Sequence, residues 1–245
     1  DKCLFRALAQ FWNPAYSCFT FGNVNLVPTI EEYMALLRCS KILVDKVYSK
    51  AVNAPTFLKR LINITGMSEQ WVTARIKQKG DSKCVPWKKL KDLILAHPDA
   101  RKKVDVFALS IYGLVMFPKT LEHVDEAVTD LFDWLEKRVT PVPIILAETF
   151  RSLNTCRKVR EGRFIGFAQF LLAWLHSHFL KVDRVSYRDI EWRAPWLLLD
   201  EILYRCGDFD WVPLIGIWGV VGYAPLLVLR QYRSRQFVPA SQRLA

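Results

Sequence analysis

Residues 28–39, PTIEEYMALLRC, carry a complete signal for the start of an α-helix. Thr29 is a suitable N-cap and Glu32 follows three residues later, so each side chain can accept from the backbone N–H of the other in a capping box. The apolar residues that follow have helical spacing, at Ile30, Tyr33, Met34 and Leu37. This stretch therefore predicts an amphipathic helix with one buried face.

Comparable helix signals recur along most of the chain. Segments 56–66, 69–80 and 87–98 each follow a proline or a serine and end at a glycine or a proline. Further helices are predicted over 99–117, 123–139, 144–154 and 164–179. Only residues 19–27, around Gly22-Asn23, have the pattern of a β-hairpin. We therefore predict a mainly α fold, a multi-helix single globular domain with at most a short N-terminal β-hairpin.

The composition predicts one large folded unit. Of the 245 residues, 51% are apolar and 9 are tryptophans, so the chain can bury a large core and is not intrinsically disordered. The two weak joints, meaning the best candidates for a domain boundary, are 78–86 and 155–163, because both are charged and contain glycine. We interpret both as surface loops within one unit, 1–245. Because the sequence starts at Asp1 without a methionine, we expect a fragment or an internally shortened copy.

Positive charge is concentrated in one third of the chain. The whole chain has a formal net charge of +11. Arg38–Lys103 contains 16 Lys and Arg against 5 Asp and Glu, whereas Val104–Arg138 contains 3 basic and 7 acidic residues. Such a distribution favours association with polyanions.

The basic third contains the candidate nucleic-acid contacts. They are Lys77, Lys79, Lys88, Lys89, Lys91, Arg101, Lys102 and Lys103. Nucleic-acid binding requires cations that neutralise phosphates and aromatic rings that stack on bases, and Trp71 and Trp87 are interleaved with these cations. Two interpretations remain open: ordinary solvated basic faces with both tryptophans in the core, or a surface that binds a polyanion.

The cysteines and the short motifs argue against an enzyme. The cysteines are Cys3, Cys18, Cys39, Cys84, Cys156 and Cys206. They are too far apart for a redox or zinc pair and fit reduced, buried thiols of an intracellular protein. Nucleotide-binding and nucleophile motifs are missing. We therefore predict no enzyme, no cofactor and no small-molecule substrate.

Two other groups of polar residues are expected to be structural. His176 and His178 point to different sides of a predicted helix, so they cannot share a metal, and no metal site is predicted. The acidic series comprises Asp125, Glu126, Asp130, Asp133 and Glu136. Within it, Glu126, Asp130 and Asp133 have the spacing of a solvated helix face. A two-metal site would instead need carboxylates from separate elements.

Residues 211–229, WVPLIGIWGVVGYAPLLVL, carry no charge and precede a basic stretch. Their length and the arginines after them are typical of a membrane helix. Pro213, Pro225 and three glycines in the run argue against one continuous helix. We favour a buried irregular segment that leads into a helix at Pro225, and predict no membrane span.

Four blocks of the sequence resemble the plant mobile domain, also called the aminotransferase-like plant mobile domain. The blocks are 19–39, 107–118, 145–179 and the closing block 212–239, VPLIGIWGVVGYAPLLVLRQYRSRQFVP. The closing block is the most specific, and its signature positions are Pro213, Pro225, Arg230, Gln231, Tyr232, Gln236 and Pro239. The family occurs in plant retrotransposons, transposons and domesticated nuclear proteins, and the chain looks closest to a branch found in dicot genomes.

The resemblance implies a transposable-element origin and a nuclear or cytoplasmic location. It does not imply aminotransferase chemistry, because no Schiff-base lysine and no phosphate cup can be identified. With the basic third, it predicts a non-enzymatic binding module for nucleic acid or chromatin-associated partners. The alternative is a protein–protein interaction scaffold, phosphatase-associated as in domesticated relatives, without nucleic-acid contact. Arg230 is interpreted either as a buried structural arginine or as a functional group.

Overall fold

The computed structural model describes residues 2–21, 24–38, 56–136, 141–158, 164–179 and 212–224. They divide between two compact units. The discontinuous unit comprises the described residues of 1–41, 142–164 and 168–245, and the inserted unit comprises those of 42–141 with 165–167. That 1–245 form one plant-mobile-domain-like unit stays a prediction, because compactness does not decide whether the two parts fold together.

Groups of helices and groups of short strands follow one another along the described residues. The helices are α1 (Lys2–Phe11), α2 (Ile30–Leu37), α3 (Phe57–Thr65), α4 (Glu69–Thr73), α5 (Trp87–Ala96), α6 (Ala100–Ile111), α7 (Glu126–Glu136), α8 (Val142–Lys158) and α9 (Ala168–Phe179). A π-helical turn, Tyr112–Met116, continues α6. The strands are β1 (Trp12–Asn13), β2 (Cys18–Phe21), β3 (Val24–Leu26), β4 (Lys77–Lys79), β5 (Ser82–Pro86), β6 (His123–Asp125), β7 (Val212–Ile215) and β8 (Val220–Tyr223).

The prediction of a mainly α fold is wrong, because the described strands form three antiparallel sheets. Their orders are β1–β2–β3, β4–β5–β6 and β7–β8. The first contains the predicted N-terminal hairpin together with one further strand. The other two lie where the sequence predicts helices, loops or irregular chain. The spacing of apolar residues does not reveal strands this short, since their stability comes from pairing with residues distant in the sequence.

Helix α2 begins as its sequence predicts. The Thr29 side chain accepts from the Glu32 backbone N–H at 3.3 Å, and Glu32 Oε2 accepts from the Thr29 N–H at 3.2 Å. Ile30, Tyr33 and Met34 are buried. The capping box and the apolar face predicted for residues 28–39 are therefore confirmed.

Aromatic side chains from four elements form the core of the discontinuous unit. Ring centroids of Trp12 and Phe19 lie 4.9 Å apart, and those of Trp12 and Phe150 lie 5.1 Å apart. Phe19 also lies 6.0 Å from Trp174. All four side chains are buried, and these separations are within the range of favourable aromatic pairs. They join β1, β2, α8 and α9 in one core.

The uncharged run contains a β-hairpin rather than a helix or irregular chain. Strands β7 and β8 pair from Val212 opposite Tyr223 to Ile215 opposite Val220. A side chain at Gly216 would collide with Glu148 Oε1, so the turn approaches α8 closely only because this residue is glycine. Across the described ranges, no helix is both long and apolar enough to span a bilayer. Pro225 lies outside the described residues.

In the inserted unit, helices α3, α5, α6 and α7 share a core with sheet β4–β5–β6. Val85 of β5 pairs with Val124 of β6, and both are buried. The predicted helix 69–80 is wrong beyond Thr73, because residues 77–79 form edge strand β4. The weak joint 78–86 is thus largely a hairpin, and residues 155–158 of the second joint belong to α8.

Candidate nucleic-acid interface

The β4–β5 hairpin presents the first group of lysines. Lys77 and Lys79 lie on β4, all of whose residues are exposed. Lys83 is exposed on β5, opposite Gln78. Gly80 closes the hairpin with a φ of +59°, a left-handed conformation that glycine adopts without strain. The hairpin therefore projects three lysines into solvent, although sequence reasoning selected only two of them.

The second group of lysines lies on α5, which begins directly after β5. Lys88, Lys89 and Lys91 are exposed, whereas Leu90 and Leu93 are buried and fix the orientation of the helix. The first turn of α5 has no acidic residue. Positive partial charge from the helix start therefore adds to the lysine charges instead of being neutralised.

The two groups together are called the hairpin–helix surface. Its residues are Lys77, Lys79, Lys83, Lys88, Lys89 and Lys91. None of the six forms an ion pair with a carboxylate in the part of the chain that the structure describes. The Nζ of Lys79 lies 3.3 Å from Nδ1 of His123. Five of the eight sequence-predicted cations therefore lie on one hairpin and the helix that follows it.

The remaining three candidates lie at the start of α6. Lys102 Nζ donates to the Asn63 carbonyl at 2.7 Å and lies 3.4 Å from Asp105 Oδ2, so it connects α6 to α3. Arg101 is exposed and Lys103 is half-buried. Asp99 caps the helix, and hydrogen bonds from the backbone N–H groups, chiefly that of Arg101, lower the pKa of its carboxyl group. Lys102 thus has a structural role that sequence reasoning did not anticipate.

Both tryptophans of the basic third are half-buried, and Arg75 covers one face of Trp71. The Arg75 guanidinium lies 3.8 Å from the centroid of the Trp71 ring and donates to the Trp71 carbonyl at 2.9 Å. Trp87 is half-buried. The cations of the hairpin–helix surface are therefore better placed for phosphates than these rings are for bases.

Three carboxylates of the acidic series have partners within the inserted unit, and the side chains of Asp133 and Glu136 lie outside those that the structure describes. Asp125 is buried on β6, 3.2 Å from Lys119 Nζ. Asp130 of α7 lies 2.5 Å from Arg60 Nη2. Glu126 Oε1 accepts from the backbone N–H of Lys83 at 2.9 Å. These carboxylates stabilise the inserted unit, and within the described ranges no group of three or more His, Cys, Asp or Glu is arranged to hold a metal.

The histidine pair is divided between solvent and core. His176 is exposed, and His178 is buried with Nε2 3.2 Å from Glu32 Oε1. This agrees with the interpretation of core and helix-end histidines. The sequence did not indicate that Glu32 is the partner of His178, because the two residues are far apart along the chain. The capping box had also already given Glu32 a local role.

The described cysteines are poor nucleophiles in the folded state. Cys18 and Cys84 are buried and Cys156 is half-buried, and all three are free thiols. Burial raises the pKa of Cys18 to about 11 and also raises the pKa of Cys84 and of Cys156. Since the thiolate is the reactive form, none of these three is activated for catalysis.

Most of the closing signature lies outside the described residues. Pro213 is exposed on β7. The other signature residues are not among those described: Pro225, Arg230, Gln231, Tyr232, Gln236 and Pro239. The two interpretations of Arg230 therefore remain predictions.

An exposed apolar stripe runs along α6 and the π-helical turn. It consists of Val104, Phe107, Ile111 and Val115, which recur at helical spacing on the side of α6 opposite to buried Val106 and Leu109. Val104 is 65% exposed and Phe107 52% exposed. Sequence reasoning predicted this helix but not its exposed apolar side, because exposure depends on where the neighbouring helices pack.

The fold and these surfaces define a mixed α/β protein with an exposed cationic surface whose lysines form no ion pair with any described carboxylate. The chain belongs to the family described as a domain of unknown function, DUF7745, whose model matches residues 1–237. No curated protein and no solved structure matches the chain. Nothing in the family match links it to the plant mobile domain, so that resemblance stays a prediction.

Proposed function

We propose that the chain is a non-enzymatic binding module whose inserted unit binds nucleic acid through the hairpin–helix surface. The observation that carries the proposal is the set of six exposed lysines between residues 77 and 91, none of them paired with a described carboxylate. Ammonium groups that are not paired with a carboxylate keep their positive charge available for phosphates. A nuclear location and an origin in a transposable element are the cellular context that this function suits.

The geometry favours contacts to phosphates rather than to base edges. Lys77 and Lys79 alternate along edge strand β4, and Lys83 of β5 lies on the other face of the same hairpin. The three lysines of α5 follow directly in the chain, so the hairpin and the helix together carry six point charges on a rigid scaffold. Cations of this kind neutralise the backbone and release counterions without reading sequence. Arg75 covers Trp71, so stacking on unpaired bases contributes little. We therefore expect binding to duplex DNA with little dependence on sequence.

The test is a titration of a short labelled DNA duplex with the full chain, followed by fluorescence anisotropy. Affinity is expected to fall steeply between about 50 and 200 mM salt. Replacing Lys88, Lys89 and Lys91 by Gln should reduce the slope of log K against log salt by roughly 3, about 0.9 for each lost phosphate contact. Replacing the same residues by Glu should abolish binding.

The matched control replaces the same three lysines by Arg, which keeps the charge and should keep the affinity. A second control, Lys59→Glu, changes an exposed lysine of α3 outside the surface and should have a small effect. Binding that is indifferent to salt, or equal losses for the Glu and Arg variants, would refute the proposal.

The apolar stripe favours a second function, docking of a protein partner without nucleic-acid contact. Four apolar side chains on one exposed side of a helix are the surface that an amphipathic partner helix buries. Arg101 and Lys103 flank the stripe at its N-terminal end. We therefore assign the occupant as an amphipathic helix with an apolar face and acidic flanks.

A designed peptide tests this second function. Its sequence places Leu at helical spacing with Glu on the flanks, and a scrambled peptide of the same composition is the control. Binding to the first peptide alone, weakened at least tenfold by Phe107→Ser and by charge reversal at Arg101 and Lys103, is the expected result. Equal binding of both peptides, or no effect of Phe107→Ser, would contradict it.

A further inference from the structure

The discontinuous unit contains a cleft that no part of the proposed function uses. The cleft lies between the C-terminal half of α8, the turn that follows β1, and strand β8, and its volume is about 480 Å³. Clefts of roughly 300–1,000 Å³ accommodate small organic ligands. Sequence reasoning gave no signal for it, because its walls come from residues 14–17, 151–158 and 220–224.

One wall of the cleft is a polar row on α8. The row consists of Arg151, Asn154, Thr155 and Lys158. Their spacing of three, four and seven residues places them on one side of the helix. The other side is packed in the core, where Phe150 and Leu153 are buried. Two cations line the cleft, and no Asp or Glu does.

Hydrogen bonds orient the polar row before any ligand is bound. Asn154 Oδ1 accepts from Trp12 Nε1 at 2.6 Å, so the amide nitrogen of Asn154 remains as a donor. Arg151 donates to the Trp218 carbonyl, and its Nε lies 3.8 Å from Glu148. Thr155 donates to the Arg151 carbonyl at 2.9 Å, so its hydroxyl oxygen remains an acceptor.

The opposite wall is fixed by a buried serine. Ser17 has a φ of +50°, a left-handed conformation that is uncommon for serine, and is almost wholly buried. Its hydroxyl donates to the Gly222 carbonyl at 2.9 Å, which holds the turn against β8. Asn13 Oδ1 accepts from the Ala15 N–H at 3.1 Å within the same turn. A wall fixed in this way loses little entropy when a ligand binds.

We propose that this cleft binds a phosphate monoester, with the phosphate group between Asn154 and Lys158. Lys158 supplies charge and the Asn154 amide supplies a directed donor, and neither competes with a carboxylate in the cleft. Arg151 lies about two helical turns from Lys158, on the order of 10 Å along the axis, so it contacts the end of the ligand farthest from Lys158. The Thr155 oxygen accepts from a ligand hydroxyl or amine. The phosphate belongs either to a free small molecule or to a phosphorylated side chain of a partner.

Calorimetric titration of the full chain in phosphate-free buffer tests the proposal with two matched pairs of probes. The first pair is adenosine 5′-monophosphate and adenosine, and the second is a phosphoserine peptide and its serine form. We expect saturable one-to-one binding of at least one phosphorylated probe and none of its unphosphorylated partner. Binding of the nucleotide alone assigns a small-molecule ligand, and binding of the peptide alone assigns a phosphorylated partner.

Variants of the polar row identify the cleft as the site. Asn154→Asp keeps an oxygen for Trp12 Nε1 but replaces the amide donor by a carboxylate, so it should weaken binding at least tenfold while the fold is retained. Lys158→Gln should weaken it to a similar extent, and Lys59→Gln, in the inserted unit, should leave it unchanged. Thermal melting of each variant checks that the fold is intact.

The Glu variant of Lys88, Lys89 and Lys91 separates this site from the proposed nucleic-acid interface. It should lose DNA binding and retain phosphate binding. The proposal is overturned if neither phosphorylated probe binds, if the unphosphorylated probes bind equally well, or if binding survives both Asn154→Asp and Lys158→Gln.

Discussion

The imidazole Nε2 of His178 lies 3.2 Å from Oε1 of Glu32, and both side chains are withdrawn from solvent. The other carboxylate oxygen accepts from Trp174 Nε1 at 2.8 Å and from the Thr29 N–H at 3.2 Å. One carboxylate thus completes the capping box of α2 and also holds α9, although Glu32 and Trp174 are 142 positions apart. A side chain with a local role at a helix start therefore also connects distant parts of the discontinuous unit.

Replacing Glu32 by Gln is expected to lower the free energy of unfolding by about 1–3 kcal/mol, because the amide offers one acceptor oxygen to the buried polar groups where the carboxyl group offers two. Urea denaturation followed by circular dichroism measures the change. The matched control is Glu69→Gln, which alters an exposed residue in the first turn of α4 and should change stability by less than about 0.5 kcal/mol. Equal effects of the two substitutions would show that the buried carboxylate contributes nothing beyond its helical position.

Gly113 in the π-helical turn is expected to tolerate no side chain. A Cβ there would lie 2.6 Å from a methyl carbon of Val124, which is buried on β6. Gly113→Ala should therefore cost about 1–3 kcal/mol through overpacking. In the double variant with Val124→Ala, the added methyl group occupies the space that the valine vacates. The double variant should consequently be more stable than the sum of the single costs predicts, and simple additivity would contradict the contact.

Elements with purely local determinants were predictable, and those that depend on distant pairing were not. The capping box of Thr29 and Glu32 lies within four residues, so the sequence alone located the start of α2. Residues 77–79 were assigned to a helix because they lie between a helix-start signal at Ser68 and a helix-stop signal at Gly80. They form an edge strand since β5 pairs on its other side with β6, where Cys84 lies opposite Asp125.

In the candidate site, too, local features were predictable and contacts between distant residues were not. The density of lysines in the basic third was visible in the sequence, and so was their excess over the acidic residues there. That Lys102 bonds to the Asn63 carbonyl could not be inferred, because a backbone carbonyl carries no residue-type signal. The cleft beside α8 was also invisible, since Ser17, Asn154 and Gly222 have no pattern in common and meet only in the fold.

Lys102 and Lys89 are expected to respond oppositely to the same substitution. Lys102→Met removes the bond to Asn63 and the contact with Asp105, and should lower the free energy of unfolding by about 1 kcal/mol with little change in DNA affinity. Lys89→Met should leave stability nearly unchanged and weaken DNA binding. Urea denaturation and anisotropy on the two variants measure both quantities. A larger loss of affinity from Lys102→Met than from Lys89→Met would place the interface at α6 instead of α5.

Alkaline pH is expected to destabilise the discontinuous unit partly through Cys18. Burial raises the pKa of this thiol from 9.0 to about 11, so the folded state holds its proton more tightly than the unfolded state. The resulting stabilisation is fully present below pH 9 and is lost as the pH rises through 11. Burial also raises the pKa of the Tyr33 phenol, which contributes in the same direction. Thermal melting of the parent chain and of Cys18→Ala at pH values across this window separates the two groups. The parent should lose more stability than the variant, and parallel losses would show that the Cys18 thiol does not titrate differently in the folded state.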